Sequence, residues 1–304
     1  AIGRDAVERA APRPLPARAL RRAMIWFFKQ PKLFGASVRV ARVLRPLLPN
    51  GLARQLGHAR AHEAPRATGA RRMILLAGCV QPALAPSIND AAVRVLARAG
   101  IALTTIPSAG CCGALSYHLS DADGAHADAR RNIDAWWPHI EQGAEAIVIT
   151  ASGCGTQVKD YGDLLRDDAQ YRDKAARVSA LAKDIAEVVA NIDLAPFTRP
   201  RAHAVAFHAP CSLQHGQALP GRVERILQQC GYRLTAVADA HLCCGSAGTY
   251  SITQPVLSRR LLANKLAALS AGAPAIIATA NIGCLTHLAS GTHTPVRHWI
   301  ELLT

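Results

Sequence analysis

The chain repeats itself, and the repeat is carried by cysteine. Cys79, Cys111 and Cys112 return at identical spacing as Cys211, Cys243 and Cys244, and Cys154 returns as Cys284 with its own spacing shortened only slightly. Each set reads C-x31-C-C-G with a fourth cysteine further along, and eight of the nine cysteines belong to it. The flanks repeat as well. Gly-Ala-Glu-Ala-Ile-Val-Ile-Thr-Ala-Ser-Gly-Cys ends the first unit at 143–154, and Gly-Ala-Pro-Ala-Ile-Ile-Ala-Thr-Ala-Asn-Ile-Gly-Cys ends the second at 272–284. Self-similarity at a fixed period means one supersecondary unit built twice. Two modules are expected, at 73–200 and 201–304, behind a leading segment at 1–72.

Between the cysteines, short apolar runs alternate with helical patterns. Met73–Ala77, Ile101–Ile106 and 146–150 are predicted strands, with a helix over 87–99 between the first two. The order recurs as Ala204–His208, a helix over 220–230, Tyr232–Val237 and 275–280. Strand–helix–strand at this spacing predicts an α/β fold, two tandem repeated modules with parallel βαβ units. Each repeated cysteine falls just past the C-terminal end of a predicted strand, the edge where open parallel sheets collect their ligands. Three sites far apart in sequence can therefore converge, with four thiols per module.

Four thiolates are the ligand set of a [4Fe–4S] cluster. The candidate metal- and cofactor-binding residues are Cys79, Cys111, Cys112 and Cys154 in one module and Cys211, Cys243, Cys244 and Cys284 in the other. Gly113 and Gly245 are expected to let the backbone pass close to a bulky cluster. Three other readings stay open: small apolar core residues, structural zinc without the usual C-x2–4-C knuckles, and thiol–disulfide exchange at the adjacent pairs. Cys230, outside the repeat, reads as a core residue. His208, His215, His241 and His287 gather around the second module, and the first has only His118 comparably close. These histidines read as structural before they read as ligands. No Ser/His/Asp set, paired carboxylates or phosphate loop stands out, so no catalytic residue is assigned.

Charge separates the leading segment from the modules. Residues 1–72 hold 16 Lys and Arg against Asp5, Glu8 and Glu63, while the rest of the chain is nearly balanced. Residues 12–16 read as a stiff extended entry. An amphipathic helix is expected over Ala17–Gln30 and a second through Leu48, stopped by Pro49-Asn50-Gly51, with a linker at 57–72. Such a basic segment suits an anionic membrane surface, with Trp26, Phe27, Phe28 and Phe34 dipping into the headgroups. It equally suits an acidic partner subunit, or solvent. No nucleic-acid motif accompanies the charge. No apolar run is long enough to span a bilayer and no signal sequence opens the chain, so a cytoplasmic protein is expected, peripheral on the inner face of the cell membrane.

The doubled Cys…Cys-Cys-Gly…Cys pattern resembles the CCG cysteine-rich domain of heterodisulfide-reductase-like subunits. Closer in, several stretches resemble the iron–sulfur subunits of the glycolate oxidase (glycolate dehydrogenase) family. They include Gly78-Cys79-Val80-Gln81-Pro82, the run from Asn132 to Pro138, the run from His241 to Tyr250, and Val296-Arg297-His298-Trp299-Ile300-Glu301. Ile2-Gly3-Arg4-Asp5 and Arg13-Pro14-Leu15-Pro16 agree as well. That resemblance implies an electron-transfer subunit beside FAD-binding glycolate oxidase subunits, passing electrons from glycolate toward membrane quinone, with FAD only in the partner. It also implies that the chain starts just after the family's ferredoxin-like domain. The wider family's further cysteine, three residues past the last, is replaced here by Gln157 and His287. Four thiolates still suit a cubane cluster, one per module at most. The rival readings are a cluster-free docking scaffold and a heterodisulfide-type thiol–disulfide oxidoreductase.

Overall fold

A computed structural model describes residues 7, 10, 11, 13–56, 68–198, 200 and 203–304. Ile2–Asp5, Pro12 and the expected linker up to residue 67 lie outside the described residues.

Two leading helices each carry a proline in the first turn, Pro16 and Pro31, where its missing N–H would have no partner. Helix α1 spans Leu15–Phe28 and α2 spans Pro31–Val43. Pro49-Asn50-Gly51 does not simply stop the second helix. A turn of 3-10 helix precedes it, and a new short helix, α3 (Asn50–Gln55), begins at Asn50 with Pro49 as its N-cap.

The first sheet comprises β1 (Arg71–Leu76), β2 (Ile101–Thr105), β3 (Ile147–Ile149) and β4 (Ala182–Asp184), all parallel in the order β2-β1-β3-β4. The second comprises β5 (Ala204–His208), β6 (Arg233–Leu234), β7 (Ile276–Thr279) and β8 (Val296–His298), parallel in the matching order β6-β5-β7-β8. Met73–Leu76 and every residue of β5 are buried. That is the two-faced burial a parallel sheet under helices demands. Helices α4 (Ser87–Arg98), α5 (Ala122–Glu141) and α6 (Ser152–Lys159) serve the first sheet. Helices α7 (Arg222–Gln229), α8 (Pro255–Ser270) and α9 (Ile282–Gly291) serve the second. The α/β fold with two parallel sheets and leading helices is as expected. The expected strands differ from the observed ones by a residue or two, except Tyr232–Val237, of which only Arg233 and Leu234 pair.

The fourth strand of each sheet was not expected. Each is three residues long and carries charge, Lys183-Asp184 in one and Arg297-His298 in the other, so no apolar run marks it. The last residue of each has a second role. Asp184 N-caps the helix at Ile185–Val189 and His298 caps the 3-10 turn at Trp299–Leu303, each in a reciprocal box with the glutamate three residues on. Both caps are buried and both reach the opposite module. Asp184 accepts from Gln217 Nε2 at 3.0 Å, and His298 Nε2 lies 2.8 Å from the Thr150 carbonyl. One apolar cluster, including Val148, Ile185, Phe207, Ala278 and Trp299, runs across both sheets.

Gly113 and Gly245 follow their cysteine pairs at φ +88° and +90°. A side chain at Gly245 would stand 2.5 Å from the Ser258 carbonyl oxygen, and one at Gly113 3.2 Å from that of Ala125. The glycines are needed for a left-handed turn pressed against a helix. A non-glycine residue in this region costs about 1–3 kcal/mol before any clash. Gly245→Ala is therefore expected to lower the urea midpoint by more than Gly113→Ala does, since its new methyl meets backbone more closely. Equal midpoints for all three proteins would remove this account.

Candidate metal centre

The strand ends bring the repeated cysteines together as their positions foretold. Cys79 follows β1, Cys111 and Cys112 follow β2, and Cys154 lies in the first turn of α6 beyond β3. Cys79 contacts Cys111, Cys111 contacts Cys112, and Cys112 contacts Cys154 through hydrogen bonds between sulfurs. The second module repeats the chain of contacts: Cys211 to Cys243, Cys243 to Cys244, Cys244 to Cys284. All eight are free thiols; Cys211 is exposed, while Cys112, Cys244 and Cys284 are buried. Cys230 sits elsewhere, fully buried in the core.

Thiols this close divide their protons unevenly. The Cys111 thiol is held well below its ordinary value by hydrogen bonds from Cys112 and then Cys79, while both donors are pushed well above theirs. In the second module Cys243 is drawn down to about 2 by Cys211 and then Cys244, and Cys284 to about 6, chiefly by Cys244. Cys211 and Cys244 move upward in exchange. Such a cluster is prepared to release protons to a cation, since the thiolate is the metal ligand.

Polar groups hold the first turn of cysteines rigidly. Asn132 takes the Gly110 N–H at 2.8 Å and donates to the Cys111 carbonyl at 2.8 Å, while Tyr161 OH donates to the Cys112 carbonyl at 2.9 Å. Asp128, four residues before Asn132 and buried, pairs with Arg131 at 2.9 Å and with Lys29, just past α1, at 2.7 Å. Lys29 and Arg131 also line a cavity of about 410 Å³ against Cys79 and Cys111, with Pro82 and Ser108 on its wall. In the second module the Gly245 N–H points at Cys243 Sγ from 3.3 Å, and buried Lys265 donates to the Asp239 carbonyl at 2.8 Å. Asp128, Arg131, Tyr161 and Lys265 were not singled out in the sequence, and Asn132 only as the start of a matching run. The signal was there for two: Asp128 and Asn132 are polar at i, i+4 on the buried face of α5, among Ala125, Ala129, Ile133 and Trp136.

The histidines separate. His215 and His241 are exposed, and His287 lies 3.1 Å from Ser258 Oγ. His208 is different. It is buried, and one of its ring nitrogens groups with Cys244 Sγ and Cys284 Sγ, all within 4.8 Å of one another. Of these four histidines, His208 is the one grouped with two of the thiols, where the ligand reading stays open.

The leading helices pack on the modules. Phe27, Phe28 and Phe34 form a ring cluster with centroids 5.4–5.7 Å apart, seated with Val38 and Leu56 on Val80, Ala83 and Leu84. Arg42 donates to the Leu56 and Leu84 carbonyls, and Arg54, from α3, to Ser290 of the second module. These three phenylalanines face protein, which corrects their expected place among lipid headgroups; of the four aromatics named there, only Trp26 is exposed. Among the described residues no helix is long and apolar enough to cross a membrane.

With two such four-thiol clusters in place, the family follows. The cysteine-rich domain designated CCG matches twice, at residues 73–159 and 205–289. The chain belongs to the CCG family. The glycolate oxidase iron-sulfur subunit of Escherichia coli (strain K12) is 50% identical over 99% of this chain and 75% of its own length. The probable glycolate oxidase iron-sulfur subunit of Bacillus subtilis (strain 168) is 28% identical over 73% of this chain and 50% of its own. Lactate utilization protein A of an Exiguobacterium species is 26% identical over 72% and 89%. The chain thus spans three quarters of the first of these and half of the second. In overall fold it is similar to a hypothetical protein from Helicobacter pylori, with a TM-score of 0.56 at 10% identity over 86% of this chain and 55% of the other.

Proposed function

We propose that this chain is an iron–sulfur electron-transfer subunit of a glycolate-oxidising complex, with Cys79, Cys111, Cys112 and Cys154 holding one centre and Cys211, Cys243, Cys244 and Cys284 the other. The observation that carries the reading is the double convergence of four thiols past the ends of parallel strands. The donor set fits a [4Fe–4S] cluster in kind and number. The 50% identity to a glycolate oxidase iron-sulfur subunit supports glycolate as the substrate. When bound, the clusters would supply one-electron storage. The protein's part is to hold thiolate ligands, shield them among Ile74, Leu76, Ile106 and Trp136 on the first side, and set cations beside them. Shielding and nearby charge are what a protein uses to tune such a centre.

The partners on this reading are FAD-binding glycolate oxidase subunits and membrane quinone. No flavin-binding glycine fingerprint occurs in the sequence, and removal of hydride from a 2-hydroxy acid needs a cofactor that accepts it. Peripheral membrane contact through residues 1–72 now has support from exposed Trp26, Val40, Val43 and Leu47 set among cations, rather than from the phenylalanines. The cytoplasmic face is the expected side.

The purified chain, given glycolate and an artificial acceptor, is expected to show no turnover. Loaded anaerobically with iron and sulfide, its visible absorption should bleach on adding glycolate together with the FAD-bearing subunit, and with neither alone. Turnover by the chain alone would contradict the assignment. Full complex activity with an iron-free chain would show a docking scaffold instead.

A further inference from the structure

The repeat makes the two thiol sets equivalent but does not make the two sites equal. Three residues before Cys79 stands Leu76, which closes β1, and three before Cys211 stands His208, which closes β5. Both side chains are buried, at 3% and 1% exposure. An apolar leucine needs nothing there. A buried imidazole needs partners for both nitrogens, and among the described residues no nitrogen or oxygen atom partners either nitrogen of His208, whose hydrogen bond is with the Cys284 thiol. What the ring does have is sulfur. Its ligating nitrogen, Cys244 Sγ and Cys284 Sγ all lie within 4.8 Å of one another. A cubane takes one protein ligand at each of its four irons, so a nitrogen standing among these sulfurs competes with the thiols for an iron.

We propose that His208 is a protein ligand of the second module's metal centre, beside Cys244 and Cys284, so that this centre is of mixed Cys/His type while the first has thiolates alone. The inference rests on the reading that the second module holds an iron–sulfur centre. Geometry selects His208 over its neighbours. His287 is engaged with Ser258, and His215 and His241 are exposed. Five donors then stand around four irons, and the thiolate that His208 displaces is that of Cys211, the exposed, outermost one. An imidazole is a neutral ligand where a thiolate is anionic, and exchanging anionic for neutral donors raises the potential of an iron–sulfur centre. The two centres are therefore unequal in potential, the second being the more easily reduced.

The test uses the full chain carrying Cys112→Ser, which removes the first centre, with 15N-labelled histidine and anaerobic loading with iron and sulfide. Pulsed EPR of the centre in its paramagnetic state should show a directly bound histidine nitrogen that changes with the isotope. The coupling should vanish in His208→Leu, which copies Leu76, and persist in His287→Gln. The centre's midpoint potential should also fall in His208→Leu. Iron in the second module with no histidine coupling would overturn the ligation and leave the cluster reading intact. A folded Cys112→Ser chain that takes up no iron where the unaltered chain does would mean one shared site and remove the ligation, and an unaltered chain that takes up none would remove the cluster reading itself. If His208→Leu does not fold, the labelled chain with His208 intact still decides, because a missing isotope effect there is sufficient to reject the proposal.

Discussion

Cys112→Ser is expected to lower the iron content of the anaerobically loaded chain by roughly half. Cys112 is 2% exposed and touches both Cys111 and Cys154, so it stands in the middle of the first thiol chain. Serine keeps the size of the side chain and the Tyr161 hydrogen bond, which goes to the Cys112 carbonyl. It offers iron only an alcohol in place of a thiolate, so the change strikes ligation rather than fold. The second set, with its own strands and its own cysteines, should load as before. Iron content and circular dichroism measured on the same sample decide the matter. Loss of all iron from a folded chain would mean one shared site, and no loss would remove Cys112 from the ligand set.

The second large effect concerns the paired caps between the modules. Burial raises the Asp184 carboxyl from 3.8 to about 6, and burial lowers the His298 imidazole from 6.5 to about 4. For Asp184 the native state holds its proton longer than the unfolded chain, so stability is greatest at low pH and is lost as pH rises from 3.8 through 6. His298 has the opposite sign: stability is full above 6.5 and is lost as pH falls toward 4. Each span is worth on the order of 3 kcal/mol. Between pH 4 and 6 the two slopes oppose one another. Asp184→Asn keeps an oxygen to cap the following helix and removes the buried charge. It should gain on the order of 3 kcal/mol at pH 7 and almost nothing at pH 4, leaving the His298 loss on acidification uncovered. Urea unfolding across this range reads the difference directly. A gain that does not change with pH would refute the assignment.

What could be read from the sequence was whatever the repeat and the apolar runs encode. Duplicated spacing placed every cysteine of both sets past a strand, and strongly apolar runs such as Ile74–Leu76 and Ala204–Phe207 gave the central strands almost to the residue. The edge strands β4 and β8 were hidden because three residues holding a pairing ladder need no apolar signature. Their D-x-x-E and H-x-x-E boxes were the available clue. The phenylalanines of α1 and α2 show the limit of a helical pattern: periodicity reveals an apolar stripe but not whether lipid or protein covers it. His208 shows another. It ends an apolar strand, where a histidine looks structural, and only the packed thiols reveal what its nitrogens face.

The most direct test of the central claim is the iron and acid-labile sulfide content of the anaerobically purified chain. One cubane cluster per module predicts about eight iron and eight sulfide per chain, and about half of each after Cys112→Ser. A folded chain with its thiols free, holding neither iron nor sulfide after loading, would contradict it.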